Sequence, residues 1–358
     1  MAKIKVAVIF GGISSEHDVS LRSATNVIEN IPKDKYEVIC VGITEKGRWL
    51  YFPDDISRIK TGEWEKSPDC TPAVLSPDTL HSGLIKLEGD EFSTQKIDVI
   101  FPVLHGNCGE DGTIQALIEM SGIPYVGSNH TAAACCMDKD IAATMFSAAG
   151  IPVAEWYTFT QSDLAQLDER CADLAAQIGF PMIVKPAVGG SSIGINKVND
   201  ETELSDAIKF AFAHGKKVVV QDFIKGRELE CGIFGNETPV ASQVGEITFS
   251  NDIYGYEEKN IFGSAEKIVP ADIDDNLAEE IRKMAVGAFK TMGCSGLGKA
   301  KFFLKKDGGI ILSGIDPMPK FTPLGMYEKM MTAFGIPMPK LLDKLICLAF
   351  DKADISMD

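Results

Sequence analysis

Short apolar runs alternate along the chain with stretches whose apolar positions recur every three or four residues, the layering of an α/β protein. Lys3–Phe10 (KIKVAVIF) predicts a buried strand that closes in the turn at Gly11-Gly12. Val19–Ile28 predicts a helix, with Ser20 or a neighbour capping its start. Tyr36–Ile43 and Ile97–Leu104 (IDVIFPVL) predict two further strands, the second ending at His105-Gly106. Between them, residues 52–93 are polar and rich in Pro, Asp and Gly, and read as surface excursions. Small residues near Ala132–Lys139 mark a shift in composition. Ala165–Ile178 has helical periodicity, and Pro181–Pro186 (PMIVKP) predicts a strand. Gly189–Gly194 (GGSSIG) turns the chain into a strand at Ile195–Val198, a hairpin unlike a phosphate loop that opens a helix. A helix at Glu201–His214 and a strand at Lys217–Phe223 follow. From Leu229 onward come strands, a helix at Asp275–Met292, strands at Lys299–Leu304 and Ile310–Ile315, and closing helices near Gly325–Ala333 and Pro339–Phe350.

Composition narrows the function classes. The 358 residues suggest two or three compact domains. With 35 Lys+Arg against 51 Asp+Glu the formal charge is −16, which disfavours a nucleic-acid partner because phosphate contact needs clustered cations. No apolar run approaches the ~18–20 residues that span a bilayer, and Val6–Phe10 is too short for a signal-peptide core. Nine cysteines without a Cys-x-x-Cys spacing read as free thiols in a reducing compartment, so a cytoplasmic protein is expected. Five histidines without helical pairing argue against a zinc site.

Four clusters carry candidate chemistry. Gly11–Ser20 (GGISSEHDVS) places a carboxylate and an imidazole after a strand's glycine turn, and His105–Gln115 (HGNCGEDGTIQ) does the same after the third strand. Met137–Asp140 (MDKD) carries one lysine, and Val184–Gly194 (VKPAVGGSSIG) carries another ahead of a hydroxyl-rich loop. In this order and at these separations they resemble the D-alanine–D-alanine ligases of the ATP-grasp superfamily, over essentially the whole chain.

The resemblance implies an ATP-grasp fold of three α/β domains: a Rossmann-like N-terminal domain at residues 1–132, a central one at 133–223 and a C-terminal one at 224–358. ATP would lie between the last two. The implied reaction phosphorylates the carboxylate of one D-alanine, and the amine of a second attacks the acyl phosphate. Lys139, Lys185, Gly190, Ser191, Ser192 and Lys259 match positions that hold the nucleotide's phosphates, which require cations and backbone N–H groups. Glu228 matches the acid on the ribose, Gln221 stands near the adenine amine, and Ile224 is a further nucleotide-binding position. Glu16 matches the acid that holds the first substrate's ammonium, Ser191 the serine that relays to it, and His105 a histidine beside that substrate. A homodimer is also implied.

The C-terminal half departs from the family at its chemistry-bearing positions. Where the family has Arg-x-Asp-Phe-Phe, this chain has Lys299-Ala300-Lys301-Phe302-Phe303; where it has Asn-Glu-Ile-Asn-x-x-Pro-Gly-Phe-Thr, this chain has Ser313-Gly314-Ile315-Asp316-Pro317-Met318-Pro319-Lys320-Phe321-Thr322. Two of three expected magnesium ligands are thus replaced, by Lys301 and Gly314, and only Asp316 keeps an oxygen donor. Mg2+ demands such oxygens in near-octahedral array. Lys299 stands for the arginine that steadies developing charge, and Lys301 could itself stand in for the metal's charge at the phosphates. Lys320 replaces the oxyanion-stabilising glycine, Asn260 a tyrosine, Gln221 a carboxylate near the adenine amine, and Gly325 a serine on the second substrate. The expectation is a ligase-fold protein impaired in ligation, with a binding or regulatory role and a protein partner. An active ligase and an interaction protein without nucleotide binding are the alternatives.

Overall fold

The computed structural model describes residues 2–190, 193–248, 266–323 and 325–356. Among them three sheets form. The first contains β1 (Ile4–Gly11), β2 (Tyr36–Ile43), β3 (Trp49–Phe52), β4 (Thr71–Leu75), β5 (Gly83–Glu88), β6 (Glu91–Lys96) and β7 (Val99–Leu104), in the order β6-β5-β4-β3-β2-β1-β7. β1 runs parallel to both β2 and β7. Parallel strands are covered on both faces and so carry continuous apolar runs. Val6, Val8 and Phe10 pack with Leu21, Ala24 and Val27 of α1 (His17–Asn30).

Two expectations are corrected here. Residues 52–93 are not surface excursions: β4, β5 and β6 extend the sheet, and α2 (Ser57–Lys60) and the 3-10 turn Glu63–Lys66 pack beneath it. Trp64 is fully buried, its ring edge-on to Phe10 at 5.1 Å and to Phe52 at 6.3 Å. Ser20 does not cap α1, which begins at His17. It lies inside the helix, where its hydroxyl accepts the Gly11 N–H at 2.8 Å and donates to the Val103 carbonyl, joining β1 to β7.

α3 (Thr113–Ser121) covers the other face of the first sheet, with Ile114 and Ile118 beside Ala7 and Ile9. α4 (His130–Met137) and α5 (Lys139–Ala148) then lead to the second sheet. Asn129 caps the first of them and Asp138 the second, each by a side-chain oxygen on free N–H groups. The second sheet contains β8 (Trp156–Thr160), β9 (Met182–Pro186), β10 (Asn196–Val198) and β11 (Lys217–Asp222), antiparallel in the order β10-β9-β11-β8. The predicted hairpin is present, with Val184 opposite Asn196. α6 (Leu167–Ile178) and α7 (Glu201–Phe212) cover this sheet through Leu174, Leu204 and Ile208.

The third sheet contains β12 (Gly226–Gly235), β13 (Val240–Thr248), β14 (Glu266–Ile268), β15 (Gly296–Lys305) and β16 (Ile310–Asp316), in the order β14-β13-β12-β15-β16. α8 (Asp275–Thr291) lays Ile281, Ala285, Ala288 and Phe289 against it. α9 (Met326–Ala333) and α10 (Met338–Lys352) return to the first sheet: Leu341, Leu342, Leu345 and Ile346 share one core with β1, α1 and β7. The two ends of the chain therefore fold as one hydrophobic body. All nine cysteines are free thiols in this structure, and Cys136 and Cys294 lie 3.7 Å apart.

Candidate functional site

A cleft of about 350 Å³ opens between the second and third sheets. Ile183, Lys185 and Pro186 of β9 line one wall, with Gly189, Gly190 and Ile193 of the hairpin turn above them. Glu228 and Glu230 of β12, Lys301 to Phe303 of β15, and Ser313 to Asp316 of β16 line the other. Gln221, Phe223 and Ile224 close the end where β11 leads into β12, and Glu16, Glu110 and Lys320 close the opposite end. Side chains alternate across a strand, so residues two apart on β12 and β15 present charge to the same cleft.

The registers explain the charge pattern. Lys301 lies opposite Glu230 on β12 and opposite Gly314 on β16, and a bulge follows between Lys301 and Phe302. Lys299 reaches diagonally to Glu230 Oε1 at 3.0 Å, while Glu230 Oε2 is buried and has no hydrogen-bond partner among the described residues. Lys301 is open to the solvent of the cleft although it sits deep in the molecule. The depth of the cleft pulls its pKa down, and Asp316, Glu230, Glu110 and Glu228 more than restore it, so its ammonium is held above the ordinary lysine value. Burial pushes the Asp316 carboxyl up, but Lys301, Lys299 and the Met318 N–H at 3.1 Å outweigh that and keep it below the ordinary range.

Lys139, at the start of α5, donates to the Gly189 carbonyl at 2.8 Å and to the Ala187 carbonyl at 3.3 Å. Burial, against the pull of Asp138 and with the help of the Lys301 charge, lowers its pKa to about 8. The ammoniums of the two walls thus feel each other across the cleft.

At the far end Lys320 Nζ donates to Glu16 Oε1 at 2.7 Å. Glu16 is only 3% exposed and the Lys320 side chain 31%. The loop that carries Lys320 is fixed to α1, because Asn26 Nδ2 donates to the Phe321 carbonyl at 3.0 Å and Phe321 packs edge-on against Phe101. His105 is buried behind this pair. Its Nδ1 lies 3.2 Å from Glu110 Oε1 and its Nε2 3.3 Å from Ser23 Oγ. Burial, then the Lys320 charge, lowers its pKa to about 4, so the imidazole is neutral at pH 7. Burial and the Asp316 and Glu16 charges raise the Glu110 carboxyl well above its usual range, towards the neutral acid.

The structure thus brings together Glu16, Lys139, Lys185, Gly190, Gln221, Ile224, Glu228, Lys301, Gly314, Asp316 and Lys320 around one cleft. Lys299 stands beside it through Glu230, and His105 behind it through Glu110. Ser191, Ser192 and Lys259 lie outside the described residues. Sequence reasoning missed Glu110 and Glu230, although Glu110 falls inside the His105–Gln115 motif and Glu230 lies two residues from Glu228. Their part depends on partners from other elements, and no local pattern announces that.

The donor set does not fit a magnesium ion. Among the described residues no three His, Cys, Asp or Glu side chains gather as a metal site. An ammonium and a glycine occupy the cross-strand pair where two oxygen ligands are expected, and a hard divalent ion needs several such oxygens.

Family profiles match both halves of the chain: that for the D-ala D-ala ligase N-terminus over residues 5–128, and that for the C-terminus over residues 145–347. The D-alanine--D-alanine ligase of Acetivibrio thermocellus is 42% identical, the match covering 98% of this chain and 96% of that protein. The vancomycin B-type resistance protein VanB of Enterococcus faecalis is 40% identical over 98% of this chain and 100% of its own length. Among solved structures, the VanG D-Ala:D-Ser ligase of Enterococcus faecalis superposes with a TM-score of 0.90 at 36% identity, over 97% of this chain and all of that one. The D-alanine-D-alanine ligase of Coxiella burnetii gives 0.84 at 31% identity, over 98% of this chain and 96% of that one.

Proposed function

The chain belongs to the D-alanine–D-alanine ligase family, ATP-grasp proteins of peptidoglycan synthesis, and on that premise we propose that it binds a nucleotide in the cleft but is impaired in joining two D-alanines. One observation carries the reading: the Lys320 ammonium sits on the Glu16 carboxylate. In the family's scheme that carboxylate holds the ammonium of the first amino acid. Here the chain supplies the ammonium itself, from the position where the family has a small glycine. A free amino acid must first displace the Lys320 ammonium from this buried carboxylate before its own ammonium can take the place.

The remaining assignments follow the same scheme. Lys139, Lys185, Gly190, Ser191, Ser192 and Lys259 hold phosphates, Glu228 the ribose and Gln221 the adenine amine, with Ile224 a further nucleotide-binding position. The domain limits at 132/133 and 223/224 bracket these elements. With the carboxylate seat filled, the protein's role becomes binding: it senses nucleotide and acts through a partner rather than through a product.

The test is ADP release from Mg-ATP with and without D-alanine, beside an active relative, on protein shown folded by circular dichroism. The expected result is no D-alanine-dependent ADP. Turnover that depends on D-alanine overturns the proposal and makes the protein a working ligase.

A further inference from the structure

We propose that the cleft takes a nucleoside polyphosphate without a divalent cation, the Lys301 ammonium supplying the positive charge at the phosphates. The inference rests on the reading of the cleft as a nucleotide site and deepens it by naming the form of nucleotide that enters.

Three observations on the third sheet support it. First, both changes that remove oxygen donors fall on a single cross-strand pair, Lys301 opposite Gly314. A carboxylate at residue 314 would stand beside the Lys301 stem and neutralise it; the glycine leaves open space there, with nothing within 4 Å of where a Cβ would project. Second, the carboxylate directly across the other neighbour, Glu230, spends one oxygen on Lys299 at 3.0 Å. Lys301 forms no ion pair among the described residues, although Asp316 and Glu230 act on its charge at longer range. Third, Lys301 and Lys139 line facing walls of the same cleft, and the Lys301 charge pulls the Lys139 pKa down. Two ammoniums that repel across open space are relieved by an anion placed between them.

Charge balance points the same way. Lys139, Lys185, Lys301 and Lys320 line the cleft and Lys299 adjoins it, set against Glu16, Glu110, Glu228, Glu230 and Asp316. The lysines already match the carboxylates in number before any metal enters. A magnesium ion brought in on the phosphates would meet the Lys301 ammonium, and unlike charges turned to like cost several kcal/mol at this range. Free nucleotide suits the cleft better than its magnesium complex.

The experiment is calorimetric titration of the full chain with ATP, once in EDTA and once with saturating magnesium. Binding in EDTA no weaker than with magnesium is the expected result. Binding only with magnesium overturns the inference and leaves the nucleotide reading standing. No binding under either condition, with the protein folded, overturns the nucleotide reading itself. Lys301→Met is expected to weaken EDTA binding roughly ten- to hundredfold, the worth of a charge-assisted contact to phosphate. Lys301→Arg is expected to keep it. Unchanged EDTA affinity in Lys301→Met assigns the charge to another group and also overturns the proposal. Should Lys301→Met not fold, the wild-type comparison and Lys301→Arg still decide.

Discussion

Replacing Lys320 with alanine tests the filled amino-acid seat directly. The pair is short, 2.7 Å, with Glu16 3% and Lys320 31% exposed on their side chains. Breaking a fully buried pair costs about 3–5 kcal/mol, and an exposed one ~0–1 kcal/mol. With one partner buried and the other about a third open, a loss of ~2 kcal/mol is expected. For a chain this long that corresponds to a fall in Tm of roughly 3 °C if it unfolds as one unit. The variant then has a buried carboxylate with its ammonium removed, and D-alanine can restore one. Ligand at ten times its dissociation constant returns about 1.4 kcal/mol, most of the loss. Thermal denaturation with and without D-alanine measures both steps. The wild-type Tm should not move with D-alanine, whereas that of Lys320→Ala should rise by roughly 2 °C. Equal shifts in the two proteins, or a variant as stable as wild type and indifferent to D-alanine, would refute the reasoning.

Other groups give separate tests. His105 has a folded pKa near 4, below its ordinary 6.5, so between those values the unfolded chain binds the extra proton and stability falls as pH drops through the window. Urea titrations from pH 7 to pH 4 should show that decline, and it should flatten in His105→Gln. Lys139, with a pKa lowered to about 8, should react with an amine-acylating reagent at pH 8 ahead of ordinary surface lysines, and ATP should protect it; peptide mass spectrometry reads both. Trp64 fills the space under the first sheet, so Trp64→Ala should cost ~3–5 kcal/mol in chemical denaturation. A cost below ~1 kcal/mol would mean that the segment around it is the surface excursion its composition suggests.

Much of this fold is readable along the chain, for a physical reason. β1, β7 and β9 lie in sheets covered on one or both faces, so their apolar runs are dense and bounded by glycine or proline. β4 to β6 escaped because they are short antiparallel strands at one end of the sheet, with many exposed or half-buried positions and set among turn residues. α4 escaped because His130–Met137 is nearly all small residues and carries little helical contrast between faces. The site divides in the same way. Residues in strand-end motifs are recognisable one by one, but their partners are not. Glu16 and Lys320 are 304 positions apart, and Glu230 meets Lys299 only through the register of β12 on β15. No window of sequence contains both halves of either pair.

The pairing of Lys301 with Gly314 also constrains the chain's history. Gly314 has φ +154, a backbone that side chains adopt reluctantly, beside a bulge that shifts the register. Restoring an acid at position 301 alone would set a third negative group near Glu230 and Asp316, with Lys299, already paired to Glu230, left to offset them. Restoring one at 314 alone would seal the lysine and strain the strand. Each single step back towards a metal-binding sheet is worse than standing still, so the two substitutions act as a ratchet. Lineages that carry the pair are expected to keep it or lose the site altogether, and recovery of metal chemistry would require two coding changes and a remodelled strand at once.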